Sequence, residues 1–158
     1  MKKIVLFAVV FTAVIHAGMF SMGNKNMGLS LGAGSSYGNT YTVAGINGHY
    51  FIIDDLAVGI GYRGWFGASP TMNEVLMDAT YYLPLHQKFR PYFGAFVRQT
   101  FISGDDDYQS YGGKAGVAIT MNPNSYVGIA YVVEYYTNCN RAGECSNSYP
   151  EVVFGFSF

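Results

Sequence analysis

Glu151-Val-Val-Phe-Gly-Phe-Ser-Phe158 closes the chain, and its reading decides the fold. Side chains of a β-strand point alternately to opposite faces. Val152, Phe154, Phe156 and Phe158 therefore share one face, and Glu151, Val153, Gly155 and Ser157 share the other. A soluble protein would bury such an aromatic face beneath a second layer. Here the alternation recurs along the chain, and no amphipathic helix is present in the sequence to cover it. Lipid is the remaining cover, and the pattern becomes that of a transmembrane β-barrel, apolar outward and small or polar inward.

Composition agrees. Hydrophobic residues make up 50% of the chain, aromatics 17% and charged residues only 12%, about half the usual charged share of roughly 25%. The N-terminus reads as a secretory signal peptide over residues 1–17. Met1-Lys2-Lys3 is the basic start, Ile4 to Ile15 the apolar run, and Ala17 the residue before the cut. That run is too short for a comfortable membrane span, and beyond it nothing approaches the roughly 18 apolar residues of a transmembrane helix. Residues 18–158 are expected to form one barrel domain. Removing Lys2 and Lys3 from the nine Lys and Arg leaves seven against ten Asp and Glu. With no basic cluster among them, nucleic acid is excluded as a partner.

Eight strand-like segments follow, separated by turn residues. They run over about Asn26–Gly34, Thr40–Phe51, Leu56–Phe66, Asn73–Leu83, Pro91–Phe101, Ser110–Met121, Ser125–Thr137 and Pro150–Phe158. The expected fold is all-β, an eight-stranded antiparallel up-and-down transmembrane β-barrel. The second segment does not settle its apolar residues on one parity, which points to a bulge. Ile53-Asp54-Asp55, Leu85 to Lys88 and Asn122-Pro123-Asn124 read as tight turns. Ser35–Asn39, Gly67–Met72, Ser103–Gln109 and Asn138–Tyr149 read as longer, more polar loops. Short periplasmic turns opposite longer external loops would place both termini on the periplasmic side.

Asn47-Gly-His-Tyr-Phe-Ile-Ile-Asp-Asp-Leu-Ala-Val-Gly-Ile-Gly-Tyr62 resembles the second hairpin of the small outer-membrane barrels, the OmpA/OmpX-like group. Arg90-Pro-Tyr-Phe-Gly-Ala95 is similar to that group's strand beginning Arg-Pro-Tyr. The ending in phenylalanine resembles the signal by which such barrels are recognised for insertion. The resemblance implies an assembly signal in Phe154, Phe156 and Phe158, with the barrel-assembly machinery as a partner. It also implies a bacterial outer-membrane location, with lipid and lipopolysaccharide around a monomer. Its motifs are architectural and identify a barrel rather than an activity.

The same parity sends Arg63, Glu74, Asp78, Arg98, Lys114 and Glu134 inward, because lipid-facing Arg or Lys would cost roughly 2–4 kcal/mol near the midplane. Arg63, Asp78, Arg98, Lys114 and Glu134 are expected to share one lumen layer, with Glu74 above them, as a neutralised structural plug or as the lining of a narrow pore. Cys139 and Cys145, both in the last loop, are expected to form a disulfide after export. Asp105-Asp106-Asp107 reads as a solvated loop tip or, alternatively, as a divalent-cation site beside lipopolysaccharide. Tyr50, Tyr81, Tyr92, Tyr111, Tyr126 and Tyr135 read as interfacial girdle residues. No Ser-His-acid or metal-ligand constellation is visible, and His49 and His86 both map to periplasmic strand ends. Neither catalysis nor a cofactor is expected. A structural or surface-interaction role follows, with a low-conductance porin-like channel or a loop-mediated adhesin as alternatives.

Overall fold

The computed structural model describes residues 18–36, 38–137 and 145–158. The signal-peptide reading of residues 1–17 therefore lies outside the described residues, as does Cys139 with the disulfide assigned to it. Eight strands form one closed antiparallel barrel in chain order. They are β1 (Lys25–Ser36), β2 (Asn39–Ile53), β3 (Leu56–Phe66), β4 (Met72–Tyr82), β5 (Phe89–Ile102), β6 (Tyr108–Asn122), β7 (Ser125–Tyr136) and β8 (Ser146–Ser157). Every strand is paired on both sides, and the β1–β8 pair closes the ring.

The outer face is apolar because each strand turns its large aliphatic and aromatic residues outward. Met27, Leu29 and Leu31 on β1, Ile60 and Tyr62 on β3, Val75 and Met77 on β4, and Phe154, Phe156 and Phe158 at the end are exposed. Closure satisfies every backbone group within this belt, which a lipid-embedded sheet requires. The start of β1 and the end of β8 share one end of the barrel, here the terminal end, with Phe158 N–H donating to Lys25 O. The connections at residues 37–38, 67–71, 103–107 and 137–145 mark the opposite, loop end.

Several expectations change. The connections differ less in length than the sequence suggests, because β5, β6 and β8 continue beyond the apolar belt and the β1–β2 connection is only residues 37–38. Strand β2 carries no interior bulge. Its register with β3 is unbroken from Thr42 to Phe51 and shifts only between Phe51 and Ile53, at the turn. Its mixed parity has another cause. Tyr41, Val43 and Phe51 are large apolar residues that point inward.

Inward glycines make room for the larger lumen side chains. A Cβ on Gly155 would lie against the Tyr126 ring, and one on Gly59 would lie against the His49 ring. Small residues on one strand and rings on the next thus fill a barrel just wide enough for side chains.

Candidate functional site: the lumen and its two mouths

The terminal mouth is filled first by residues that precede β1. Asp55 N–H donates to Phe20 O at 2.7 Å, Met22 N–H to Asp54 Oδ1 at 2.8 Å, and Gly23 N–H to Phe51 O at 2.8 Å. These bonds fold residues 18–24 back under the barrel as a strap. Phe20 enters the mouth, with its ring 4.7 Å from Tyr82, 5.6 Å from Tyr126 and 5.9 Å from Phe51. The Arg90 guanidinium lies 4.5 Å from the Phe20 ring centroid and pairs with Asp55. Asp55, at a left-handed φ of 64°, thus holds the strap by its amide and Arg90 by its carboxylate. Met19, Tyr92, Ala57, Ala118 and Ala130 complete this apolar stopper.

Two girdle assignments are corrected here. Tyr92 and Tyr126 are buried in the lumen, where the Tyr82 and Tyr126 hydroxyls are 3.2 Å apart. Tyr50, Tyr111 and Tyr135 lie on the outer face and are exposed. Tyr81 also turns outward, against Phe93 with ring centroids 5.7 Å apart.

Above the stopper, Asp78 collects four hydrogen bonds from three side chains. His49 Nε2 reaches both carboxylate oxygens at 3.0 Å, Thr80 Oγ1 donates at 3.0 Å and Lys114 Nζ at 2.8 Å. A carboxylate only accepts, so Nε2 carries the donated hydrogen. His49 is therefore a buried lumen residue rather than part of the strand end.

A second group stands nearer the loop end. Arg98 Nη1 donates to Glu134 Oε2 at 2.6 Å, and its Nε lies 3.3 Å from Glu74 Oε2. Ser110 Oγ donates to the other Glu134 oxygen. Arg63 pairs with Glu151 and donates to the Tyr149 hydroxyl at 2.9 Å, which also accepts from Arg98 at 3.1 Å. Tyr149 thus bridges the two arginines. The five charges expected to share one layer fall into two groups. Asp78 and Lys114 form one group, while Arg63, Glu74, Arg98 and Glu134 belong to the other, with Glu151 as a further anion. The split follows height along β3 and β4, since Asp78 registers with Gly59 nearer the terminal end whereas Glu74 registers with Arg63 nearer the loop end.

Glu151 and His49 are the members that the sequence reading missed. For Glu151 the signal was available, because it shares the inward parity of Gly155 in the terminal strand. The pairing is close to complete, as burial demands of charges.

The loop mouth is stoppered in turn by Tyr41, Val43, Trp65, Met72 and Ile102. Tyr41 and Trp65 meet edge to face, with centroids 5.6 Å apart. The triple aspartate serves the β5–β6 turn. Asp107 Oδ1 accepts Ile102 N–H at 3.2 Å, and Asp105 Oδ1 accepts Asp106 N–H at 2.8 Å. Among the described residues, no group of three or more His, Cys, Asp or Glu is placed to hold a metal ion. His86 sits in the exposed β4–β5 turn, where its Nδ1 accepts Lys88 N–H at 3.1 Å.

Comparison with solved structures gives the same architecture. The N-terminal β-barrel domain of Pseudomonas aeruginosa OprF matches with a TM-score of 0.71 and 17% identity, covering 87% of this chain and 98% of that one. Neisserial surface protein A matches with a TM-score of 0.65 and 18% identity, covering 85% and 96%. A de novo designed transmembrane β-barrel matches with a TM-score of 0.61 and 12% identity, covering 87% and 98%. No family model matches the sequence, and no curated protein sequence does. At these identities the likeness is one of fold, that of the small eight-stranded transmembrane barrels.

Proposed function

We propose that this chain is a bacterial outer-membrane barrel with a closed lumen, working through the surface at its loop end. One observation carries the reading. The charged lumen is enclosed between two apolar stoppers, with Phe20, Tyr82 and Tyr126 at one mouth and Tyr41, Trp65 and Met72 at the other. A solute would have to displace packed aromatic rings and break ion pairs to pass. The same arrangement disfavours catalysis, since the lumen acids and bases are spent on one another. His49 in particular is held by Asp78, away from any substrate in the medium.

The outer-membrane location is supported by the basic and apolar start of the sequence, the aromatic outward face of β8, and solved neighbours that include outer-membrane proteins. Lipid and lipopolysaccharide are then its surroundings, and the assembly machinery reads Phe154, Phe156 and Phe158. A Cys139–Cys145 disulfide tightens the last loop. External ligands meet the loop end.

Cell fractionation with surface labelling tests this reading. The protein should appear in the outer-membrane fraction with heat-modifiable gel mobility. An Asp106→Cys variant should be labelled on intact cells by a membrane-impermeant maleimide. Recovery as a soluble periplasmic protein, or labelling only after lysis, contradicts it.

A further inference from the structure

The barrel's closing seam is incomplete. Partners between β1 and β8 run only from Asn26 with Ser157 to Gly32 with Glu151. Beyond that pair, among the described residues, 33–36 have strand partners only on β2, and 146–150 only on β7. The cause can be read from the hydrogen-bond parity. Phe158 N–H donates to Lys25 O on β1, whereas Ser157 N–H and Cys145 O bond on the β7 side. With the β7–β8 register unbroken between them, even-numbered residues of β8 turn their main chain to β1. The next hydrogen-bonded pair of the seam would join Ala33 to Pro150. Proline has no N–H to give to the Ala33 carbonyl, and the seam parts there.

On β1 and β8 the split coincides with the end of the large apolar outward residues. Below it the outward residues are Leu31 and Val152. Above it they are Ala33 and Ser35 on one edge, and Pro150, Ser148 and Ser146 on the other, all exposed. An unpaired edge within the belt would be costly in lipid, whereas here water reaches it. Among the described residues, the Asn147 side-chain amide crosses the gap, donating to Ser35 O at 3.4 Å. Edge strands are usually blunted by charge. The outward side chains of these two are small and uncharged, and among the described residues Pro150 is what blunts them.

We propose that this split seam is an interaction edge that accepts an extended polypeptide segment by β-strand addition, with the β1 edge around Ser35 as the template. The chemistry selects the partner. A row of main-chain donors and acceptors in strand geometry is matched by another strand, and the small flanking side chains leave the edge open to its approach. An acyl chain offers no hydrogen bonds, and the edge stands above the belt that acyl chains cover. The inference rests on the reading that the loop end faces the medium.

The test uses the folded barrel in lipid nanodiscs. Its probe is a synthetic peptide copying residues 146–153 with Pro150 replaced by threonine, which supplies the donor that β8 lacks. In the free barrel, the Ser35 and Ser148 amides should exchange with solvent freely. Peptide should slow Ser35 exchange roughly tenfold. Barrel variant Pro150→Thr should close the seam, slow the same amide without peptide and abolish binding. Ser35→Pro, which deletes the template donor and leaves the seam open, should also abolish binding. No protection of the Ser35 amide by peptide, or peptide binding retained in Pro150→Thr and Ser35→Pro, overturns the proposal. Surface labelling of Asp106→Cys on cells separately reports orientation, so a failure of that reading is distinguishable from a failure of the edge.

Discussion

Replacing Arg98 by alanine should lower the barrel's unfolding free energy by about 3–5 kcal/mol, the range for removing one partner of a buried charge group. Arg98 is fully enclosed and holds Glu134 at 2.6 Å, Glu74 at 3.3 Å and the Tyr149 hydroxyl at 3.1 Å. Its removal leaves two buried carboxylates without their main cation, and Arg63 is already committed to Glu151. A variant that also carries Glu74→Gln and Glu134→Gln should recover much of the loss, because it removes the stranded charges with the cation. Urea unfolding of the barrel in detergent micelles measures both. A loss below about 1 kcal/mol for Arg98→Ala would show that water screens the lumen, against the enclosure described above.

Asp78→Ala should have an effect of similar size, again about 3–5 kcal/mol by the same reasoning. This carboxylate is the shared acceptor of His49, Thr80 and Lys114. Without it, the Lys114 ammonium loses its ion-pair partner, and His49 and Thr80 each lose an acceptor. Asp78→Asn should cost less, because an amide oxygen still accepts from Thr80 and Lys114. Truncation of the exposed loop-end Asp106 should leave unfolding almost unchanged. Comparing the three unfolding curves checks the assignment. Equal curves for Asp78→Ala and Asp106→Ala would contradict it.

What was legible in the sequence was whatever period two controls. The strands β1, β3, β4 and β8 alternate cleanly, so their inward and outward residues follow from one parity choice, and the cost of a lipid-facing arginine makes that choice. Strand β2 was obscure because both of its faces are apolar near the mouths. Tyr41, Val43 and Phe51 cap the lumen while Ile46, Tyr50 and Ile52 face outward. Tyr92 and Tyr126 were misassigned through residue type. The parity that sends Arg98 and Glu134 inward also sends them inward, but tyrosine near a strand end suggested an interface.

The strap was illegible for a different reason. Met19 and Phe20 precede the first strand and carry no period, and what holds this segment comes from the distant β2–β3 turn at Asp54 and Asp55 and from Arg90 on β5. Levels within the lumen were likewise hidden. Parity says which side chains point inward, while shear decides which of them meet, and shear is a property of the closed ring. His49 met Asp78 because both stand in register with Gly59, two strands apart, whereas Glu151 reached Arg63 across the lumen from β8.

Single-channel recording on the refolded protein in a planar lipid bilayer addresses the closed lumen most directly. With Phe20 seated among Phe51, Tyr82 and Tyr126, and Tyr41 packed on Trp65 at the other mouth, the intact barrel should give no stepwise current in molar potassium chloride at moderate voltage. Reproducible unitary steps from the intact protein, altered in size by Asp78→Ala, would show a continuous aqueous path past both stoppers and contradict the account.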